Sequence, residues 1–158
     1  MEKKYKLTDE TIIVDGRTLY RIEALRDFGD VKKGHKGGYI GKEDNLSQNG
    51  DCWVYDDAKV YDDAEIFGNA VVRDKASVYN EAEVYGNAEV YGNAQVYGEA
   101  WVYDNAKVHD FAVVFDVAKV YGSAEVFGNI MVYGEAWVRG KVKIYGNAEV
   151  CGNVRICG

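Results

Sequence analysis

A six-residue repeat runs through most of this 158-residue chain and leaves few folds open to it. In VYGNAEVYGNAQVYGEAWVY, residues 84–103, the phrase Val-Tyr-Gly-Asn-Ala-x occurs twice, recurs with Glu in place of Asn, and begins a fourth time. An aliphatic residue stands at every sixth position from Val54 to Ile156, with no insertion between them. Four positions after each comes an apolar residue, usually alanine, as far as Val154. A period this regular is the signature of a repeat architecture.

The period excludes an α-helix and fits a short strand followed by a corner. Six residues make about 1.7 helical turns, so the aliphatic positions would scatter around a helix axis. In a strand, alternation places Ala and Val on one face and the residues between them on the other. The Gly-Asn, Asp-Asp or Gly-Glu pairs that follow accept turn conformations at low steric cost. Three such hexads close a triangular coil of 18 residues.

The hexads from about Ile40 to Ile156 resemble those of the hexapeptide-repeat proteins of the left-handed parallel β-helix class. The resemblance implies an all-β fold with a left-handed coil and three short strands per turn. Successive coils lie one strand spacing apart, roughly 4.8 Å, so six to seven coils make a rod of roughly 30 Å. We assign residues 37–158 to this left-handed β-helix.

Residues 1–36 precede the coils and predict a cap. The stretch TIIVDGRTLYRIEA, residues 11–24, places two β-rich runs around Asp15-Gly16, which indicates a hairpin. A β-helix has open ends with unpaired strand edges, and a hairpin can cover one of them. The segments RDFGDVKKGHKGGYIG and NLSQNGDCWVYD resemble a bacterial and phage-associated group of hexapeptide-repeat proteins, often labelled acyltransferases on fold alone.

Composition narrows the function classes. The net charge is −7, but residues 1–36 carry 9 basic and 7 acidic side chains and the rest carry 10 and 19. The coils therefore hold a charge of −9, which repels phosphates and disfavours direct nucleic-acid binding. The chain has no apolar run that would span a membrane and no secretory signal. Its three cysteines fit a reducing compartment, so we expect a cytoplasmic location.

The outward positions predict binding surfaces. Aromatic residues recur 18 apart, and they either stack on one another or form an interface. Between residues 108 and 120 the corner residues Phe111 and Val117 are apolar instead of polar. We predict interface positions at these corners and on the faces beside them: Phe111, Val113, Phe115, Val117, Met131, Tyr133, Tyr97, Trp101 and Trp137. The expected partners are another protein or further copies of the chain, as a dimer through the C-terminal edge or a trimer through the 111–133 face.

The resemblance also implies a possible chemistry. In hexapeptide-repeat acyltransferases a histidine acts as general base beside an excursion loop at a trimer interface, with acyl-CoA between subunits. The uninterrupted frame from Val54 to Ile156 has no such loop, and we expect no C-terminal helix of the family's kind. Of its two histidines, His109 lies mid-strand and His35 lies in KKGHKGG; His109 is the candidate base, and acetyl-CoA is a cofactor only in that case.

We expect no metal site. The carbonic-anhydrase-like branch of the fold needs three histidines, and two separated ones cannot supply them. Cys151 and Cys157 show no metal-ligand spacing. With no other cofactor motif, we favour a non-catalytic acidic scaffold that binds through outward aromatic and apolar side chains. The alternatives are an acyl-CoA-dependent acyltransferase with His109 as base, and a phage-type decoy that mimics nucleic acid or sequesters a ligand.

Overall fold

The computed structural model describes residues 2–158 as an all-β solenoid of about seven turns. Strands are numbered here in chain order. β1 (Tyr5–Val14) and β2 (Arg17–Ala24) form an antiparallel hairpin, and β3 (Lys36–Ile40) follows. A single 3-10 turn, Glu43–Asn45, leads into the regular coils.

The coils stack into three parallel sheets, one for each side of a triangular prism. The first face consists of β4 Trp53–Val54, β7 Val71–Val72, β10 Glu89–Val90, β13 Lys107–Val108, β16 Glu125–Val126 and β19 Lys143–Ile144. The second consists of β5 Lys59–Val60, β8 Ser77–Val78, β11 Gln95–Val96, β14 Val113–Val114, β17 Met131–Val132 and β20 Glu149–Val150. The third consists of β6 Glu65–Ile66, β9 Glu83–Val84, β12 Trp101–Val102, β15 Lys119–Val120, β18 Trp137–Arg139 and β21 Arg155–Cys157.

The register confirms the predicted repeat. Each strand pairs with the strand one coil on, so that Val90 lies beside Val72 and Val108. The aliphatic and alanine columns fill the prism, and both columns are fully buried through most of the coils. Two short inward side chains per strand are what a narrow interior packs without voids. The left hand of the coil stays a prediction taken from the resemblance.

The corners hold the left-handed backbone that their residue types predict. Gly86 and Gly98 have φ of 68°, and Asp74 and Asp104 have φ of 61° and 59°. Where the corner is Asp, its carboxylate also accepts a hydrogen bond from the backbone one coil on, as Asp74 does from the N–H of Gly92 at 2.9 Å. Aspartate tolerates the positive φ and adds a bond between coils that glycine cannot make.

A buried lysine closes the first coil. The ammonium of Lys4 donates to the carbonyl oxygens of Gly50 and Cys52, at 3.2 and 2.8 Å, and lies 3.4 Å from that of Asn49. It also lies 3.4 Å from the Cys52 sulfur and 4.8 Å from the centre of the Phe28 ring. The side chain is fully buried, and that burial lowers the pKa of Lys4. A cation thus bonds carbonyl groups at the end of the solenoid.

The hairpin extends the second sheet as well as contributing to the cap. β2 pairs antiparallel with β3, which pairs parallel with β5. The predicted turn at Asp15-Gly16 is present, but β1 begins at Tyr5 rather than at Thr11. Beyond the turn, Arg17 forms an ion pair with Asp62 and lies 5.7 Å from the Tyr61 ring. The turn therefore lies over the N-terminal end of the second face.

Candidate binding surface

The three faces differ sharply in charge. Each has twelve outward positions in the coils, and five of the twelve are Asp, Glu, Lys or Arg on the first face and also on the third. On the second face two are charged, Lys59 and Glu149, and they occupy its opposite ends. The middle of the second face is therefore neutral, although the coils as a whole carry a charge of −9. Burying this part of the face requires little free energy, because no charged group has to be desolvated.

An apolar band crosses this charge-poor face from one corner to the other. Phe111 and Val117 occupy the two corners that flank this face in one coil, and they are 60% and 42% exposed. Val113 and Phe115 lie between them, and Met131 continues the band one coil on. Clustered apolar groups exposed at this level are typical of an interaction site rather than of free surface.

The outward aromatic rings form continuous stacks. On the second face Tyr97, Phe115 and Tyr133 stack in sequence with ring centres 5.1 and 4.8 Å apart and planes within 8° of parallel. On the third face Tyr103 stacks on both of its column neighbours at 4.9 Å. The predicted self-stacking is present on every face, and each good pair contributes about 0.5–1.5 kcal/mol beyond area burial.

The stacked tyrosines are partly buried, and their ionisation is perturbed. Burial raises the pKa of Tyr79 and of Tyr103 to about 12. Hydrogen bonds raise the pKa of Tyr133 to about 12 as well, and its hydroxyl donates to Glu149 at 3.0 Å. The phenols are therefore held in their neutral form, in which each hydroxyl can donate a hydrogen bond.

Two of the predicted interface residues lie away from this group. Trp101 and Trp137 are on the third face, and the ammonium of Lys119 lies between them, 4.5 and 5.1 Å from their ring centres. Arg155 covers Trp137 at 4.1 Å. These rings already hold cations of the same chain, so their surroundings favour a structural cation–π ladder.

His109 lies on the first face, whereas Val113, Phe115 and Met131 of the apolar band lie on the second. Its ring stacks between Tyr91 and Phe127, at 4.6 and 4.9 Å, and its side chain is 13% exposed. Its Nε2 lies 2.6 Å from a carboxylate oxygen of Glu125, and its Nδ1 lies 3.1 Å from Asp110. Both ring nitrogens face carboxylates, so an acceptor substrate would reach Nδ1 only after Asp110, which is half exposed, turns away.

Sequence reasoning missed the carboxylate partners of His109, although a spacing rule identifies Glu125. The contact joins residues 16 apart, and Tyr79 reaches Gln95 and Tyr133 reaches Glu149 over the same separation. This is the diagonal neighbour in a stack of 18-residue coils, within reach of long side chains. The Glu–Lys ladder on the same face was predicted from the spacing of 18 residues between direct neighbours. In this ladder Lys107 and Lys143 each lie 3.9 Å from a glutamate.

A cleft lies under the hairpin turn. It measures about 590 Å³ and is lined in part by Arg17, Lys42, Tyr61, Asp62 and Asp63. Its two cations are paired with its own carboxylates, Arg17 with Asp62 and Lys42 with Asp63. The cleft therefore presents no free cation to an acidic ligand, and the apolar band is the better binding surface.

Residues 2–158 contain no metal-ligand cluster and no membrane-spanning helix. Within that range no three Asp, Glu, His or Cys side chains converge as metal ligands. The same residues include no helix long and apolar enough to cross a membrane. Cys151 and Cys157 are exposed free thiols, and His35 lies in the cap, edge-on to Tyr55 at 5.9 Å.

Fold and repeat together define a hexapeptide-repeat β-solenoid. No family model matches the chain. Over 62 residues the chain is 40% identical to a protein of Escherichia coli strain K12 named "Uncharacterized acetyltransferase YdcK". That similarity covers 34% of this chain and 19% of the Escherichia coli protein.

Proposed function

We propose that this chain is a rigid binding scaffold that presents its second face to a protein surface. The observation that carries the proposal is the apolar band, with Phe111 60% and Val117 42% exposed at the edges of a face that has two charged outward positions. Interface cores are depleted in charge and rich in Tyr, Phe and Met, and that composition describes this face.

The backbone favours binding because little of it has to be ordered. The N–H groups of successive coils bond to carbonyls one coil on, as Phe115 does to Val132 at 2.9 Å and Tyr97 to Val114 at 3.0 Å. Aromatic side chains locked in stacks lose little further rotamer freedom when a partner covers them. A preorganised surface avoids much of the ordering cost of association.

Site-directed photocrosslinking tests the binding face. A photoreactive benzophenone analogue replaces Phe115 in one variant and Tyr103 in a matched control, since both rings lie in mid-stack on different faces. In lysate of the producing cells we expect protein adducts, to another copy or to another protein, at least about fivefold more abundant from position 115. Equal yields from the two positions, or none from 115, would overturn the proposal.

A second candidate is an acyl-CoA-dependent acyltransferase with His109 as base. Two observations favour it: the similarity to a protein named an acetyltransferase, and the 2.6 Å contact between Nε2 of His109 and Glu125. A carboxylate on one ring nitrogen orients a histidine whose other nitrogen takes the proton of the acceptor. The apolar band is on another face, so the two candidates do not compete for the same residues.

Acetyl-CoA decides between the two candidates by thermal shift. On the scaffold proposal, 1 mM acetyl-CoA (about tenfold above a typical upper Kd for a cofactor) leaves the melting temperature unchanged, whereas a bound cofactor would raise it by about 3–5 °C. Acetyl transfer to an amine that disappears in His109→Asn would establish the acyltransferase. His35→Asn is the matched control, since His35 lies in the cap.

A further inference from the structure

The second face has a feature that specifies its partner's orientation. Its outward columns run Lys59, Ser77, Gln95, Val113, Met131, Glu149 and Tyr61, Tyr79, Tyr97, Phe115, Tyr133, Cys151. The two charged members share one column, have opposite signs and stand at its two ends. The apolar band lies next to the midpoint between them, which falls between Gln95 and Val113.

We propose that this face pairs with the same face of a second copy in an antiparallel, two-fold symmetric dimer. The proposal rests on the proposed function and names the partner. A two-fold axis parallel to the strands, between Gln95 and Val113, keeps each column opposite its own copy and reverses its direction. Lys59 of each subunit then meets Glu149 of the other, and Val113 meets Gln95.

The other outward positions of the two columns pair neutral or aromatic side chains, and at the rim the corner residue Glu99 faces Val117 of the other copy. Tyr97 lies opposite Phe115 and Tyr79 opposite Tyr133, so the aromatic stacks of the two copies face each other. Ser77 lies opposite Met131. The corner carboxylates Glu81 and Glu135 face each other at the rim, where both residues reach the solvent and their repulsion is screened.

A parallel pairing lacks this charge match. With the two-fold axis along the solenoid, each column meets the other column at the same height. Lys59 would then lie against Tyr61, and Glu149 against Cys151. Charge complementarity therefore selects the antiparallel arrangement, because it alone pairs the two charges of this face with each other.

The area of the face is that of a weak dimer. The hairpin already covers Tyr61 in the first coil, which is 5% exposed, so five coils of this face are free. At roughly 4.8 Å per coil they give a length of roughly 24 Å, and a strand with its corners gives a width of roughly 17 Å. The face thus buries about 400 Å² on each copy, or about 800 Å² in total. This is the small area of a weak interface, and it corresponds to a dimer that dissociates on dilution.

Charge reversal with mixing tests the orientation. Sedimentation equilibrium of the full chain should show reversible association from 17.6 kDa to twice that mass. Lys59→Glu alone places Glu opposite Glu, and Glu149→Lys alone places Lys opposite Lys, so each should weaken dimerisation by about fivefold to tenfold. An equimolar mixture of the two variants rebuilds both ion pairs in a heterodimer and should regain the wild-type affinity.

A variant in the apolar band tests the face independently of the ion pairs. Phe111→Asp should weaken the dimer by at least about tenfold, and Asn105→Asp should leave it unchanged. The control adds the same charge at an equivalent corner on the opposite edge of the prism. Circular dichroism of every variant verifies folding, and both substituted residues are exposed, so their replacement should not disturb the coil.

The outcomes separate this inference from the proposed function. A chain that stays monomeric at 1 mM, a trimeric mass, or a mixture that associates no better than its single variants would overturn the antiparallel dimer. Photocrosslinks from position 115 to a different protein alone would also overturn it, although the binding face would stand. Absence of any crosslink from position 115 would overturn both.

Discussion

Replacing Lys4 by methionine should lower the free energy of unfolding by about 3 kcal/mol and the melting temperature by about 6–12 °C. Methionine fills a similar volume, but it leaves the carbonyl oxygens of Gly50 and Cys52 without their buried donor. A buried acceptor deprived of its partner costs about 1–3 kcal/mol. Part of this loss is offset, because the buried ammonium is itself desolvated, as its lowered pKa indicates.

Lys3→Met is the matched control for this prediction. Lys3 is the neighbouring lysine, but its ammonium pairs with Glu43 at 2.9 Å on the exposed surface. Exposed ion pairs contribute about 0–1 kcal/mol, so the control should shift the melting temperature by no more than about 4 °C. Urea denaturation of both variants makes the comparison, and equal losses would contradict a capping role for Lys4.

Alkaline pH should destabilise the solenoid steeply between pH 10 and pH 12. Tyr79 and Tyr103 have a pKa of about 12 in the folded chain, against the ordinary value of 10.0. The folded state therefore holds protons that the unfolded state has released, and stability falls as pH rises through this window. We expect a loss of about 3 kcal/mol, half of what the full shifts would give, because water screens the partly exposed rings.

Lys4 contributes to the pH dependence with the opposite sign and in a lower window. Its lowered pKa means that the unfolded chain binds its proton more tightly, so its contribution to stability rises with pH up to about 10.5. Above that value both states have lost the proton and the tyrosines determine the slope. Denaturation midpoints at pH 8, 9, 10, 11 and 12 measure both effects, with absorbance at 295 nm to follow phenolate formation.

Removing the stacked phenols tests the alkaline prediction. The double variant Tyr79→Phe, Tyr103→Phe keeps the rings in their stacks but has no proton to lose at these positions. Its stability should fall less between pH 10 and pH 12 than that of the wild type. Parallel slopes for the wild type and the double variant would contradict the assignment.

The coil could be predicted because its buried positions recur every six residues with the same residue types. Val90 and Ala94 face inward for the reason that Val72 and Ala76 do, so one hexad determines the next. Such a chain has little competition between local preference and tertiary packing. The same period also predicts the outward columns, the stacked rings and the Glu–Lys ladder, because residues 18 apart lie on neighbouring coils.

The cap was predictable only in outline, because its contacts are not periodic. Lys4 reaches carbonyls 45 to 48 residues further along the chain, and no spacing rule relates them. Tyr5 likewise donates its hydroxyl to the carbonyl of Leu46 at 2.5 Å. Such contacts depend on how the chain returns after the hairpin. That path cannot be read from a single sequence by its pattern.

The predicted interface residues divide for a similar reason. Phe111, Phe115 and Met131 were predicted to lie together, because the coil period alone places them on one face. The surroundings of Trp101 and His109 depended on which cation or carboxylate turned toward each ring. Those choices are side-chain conformations on a crowded surface, and the period does not determine them.

The unbroken register between Val54 and Ile156 also constrains how a gene for this protein can change. Recombination between near-identical stretches of DNA adds or removes whole multiples of the repeat. A loss of 18 codons would shorten the rod by one coil and leave every later side chain on its original face of the prism. A loss of six codons would instead turn everything downstream by a third of a revolution, splitting the neutral surface between two sides of the prism.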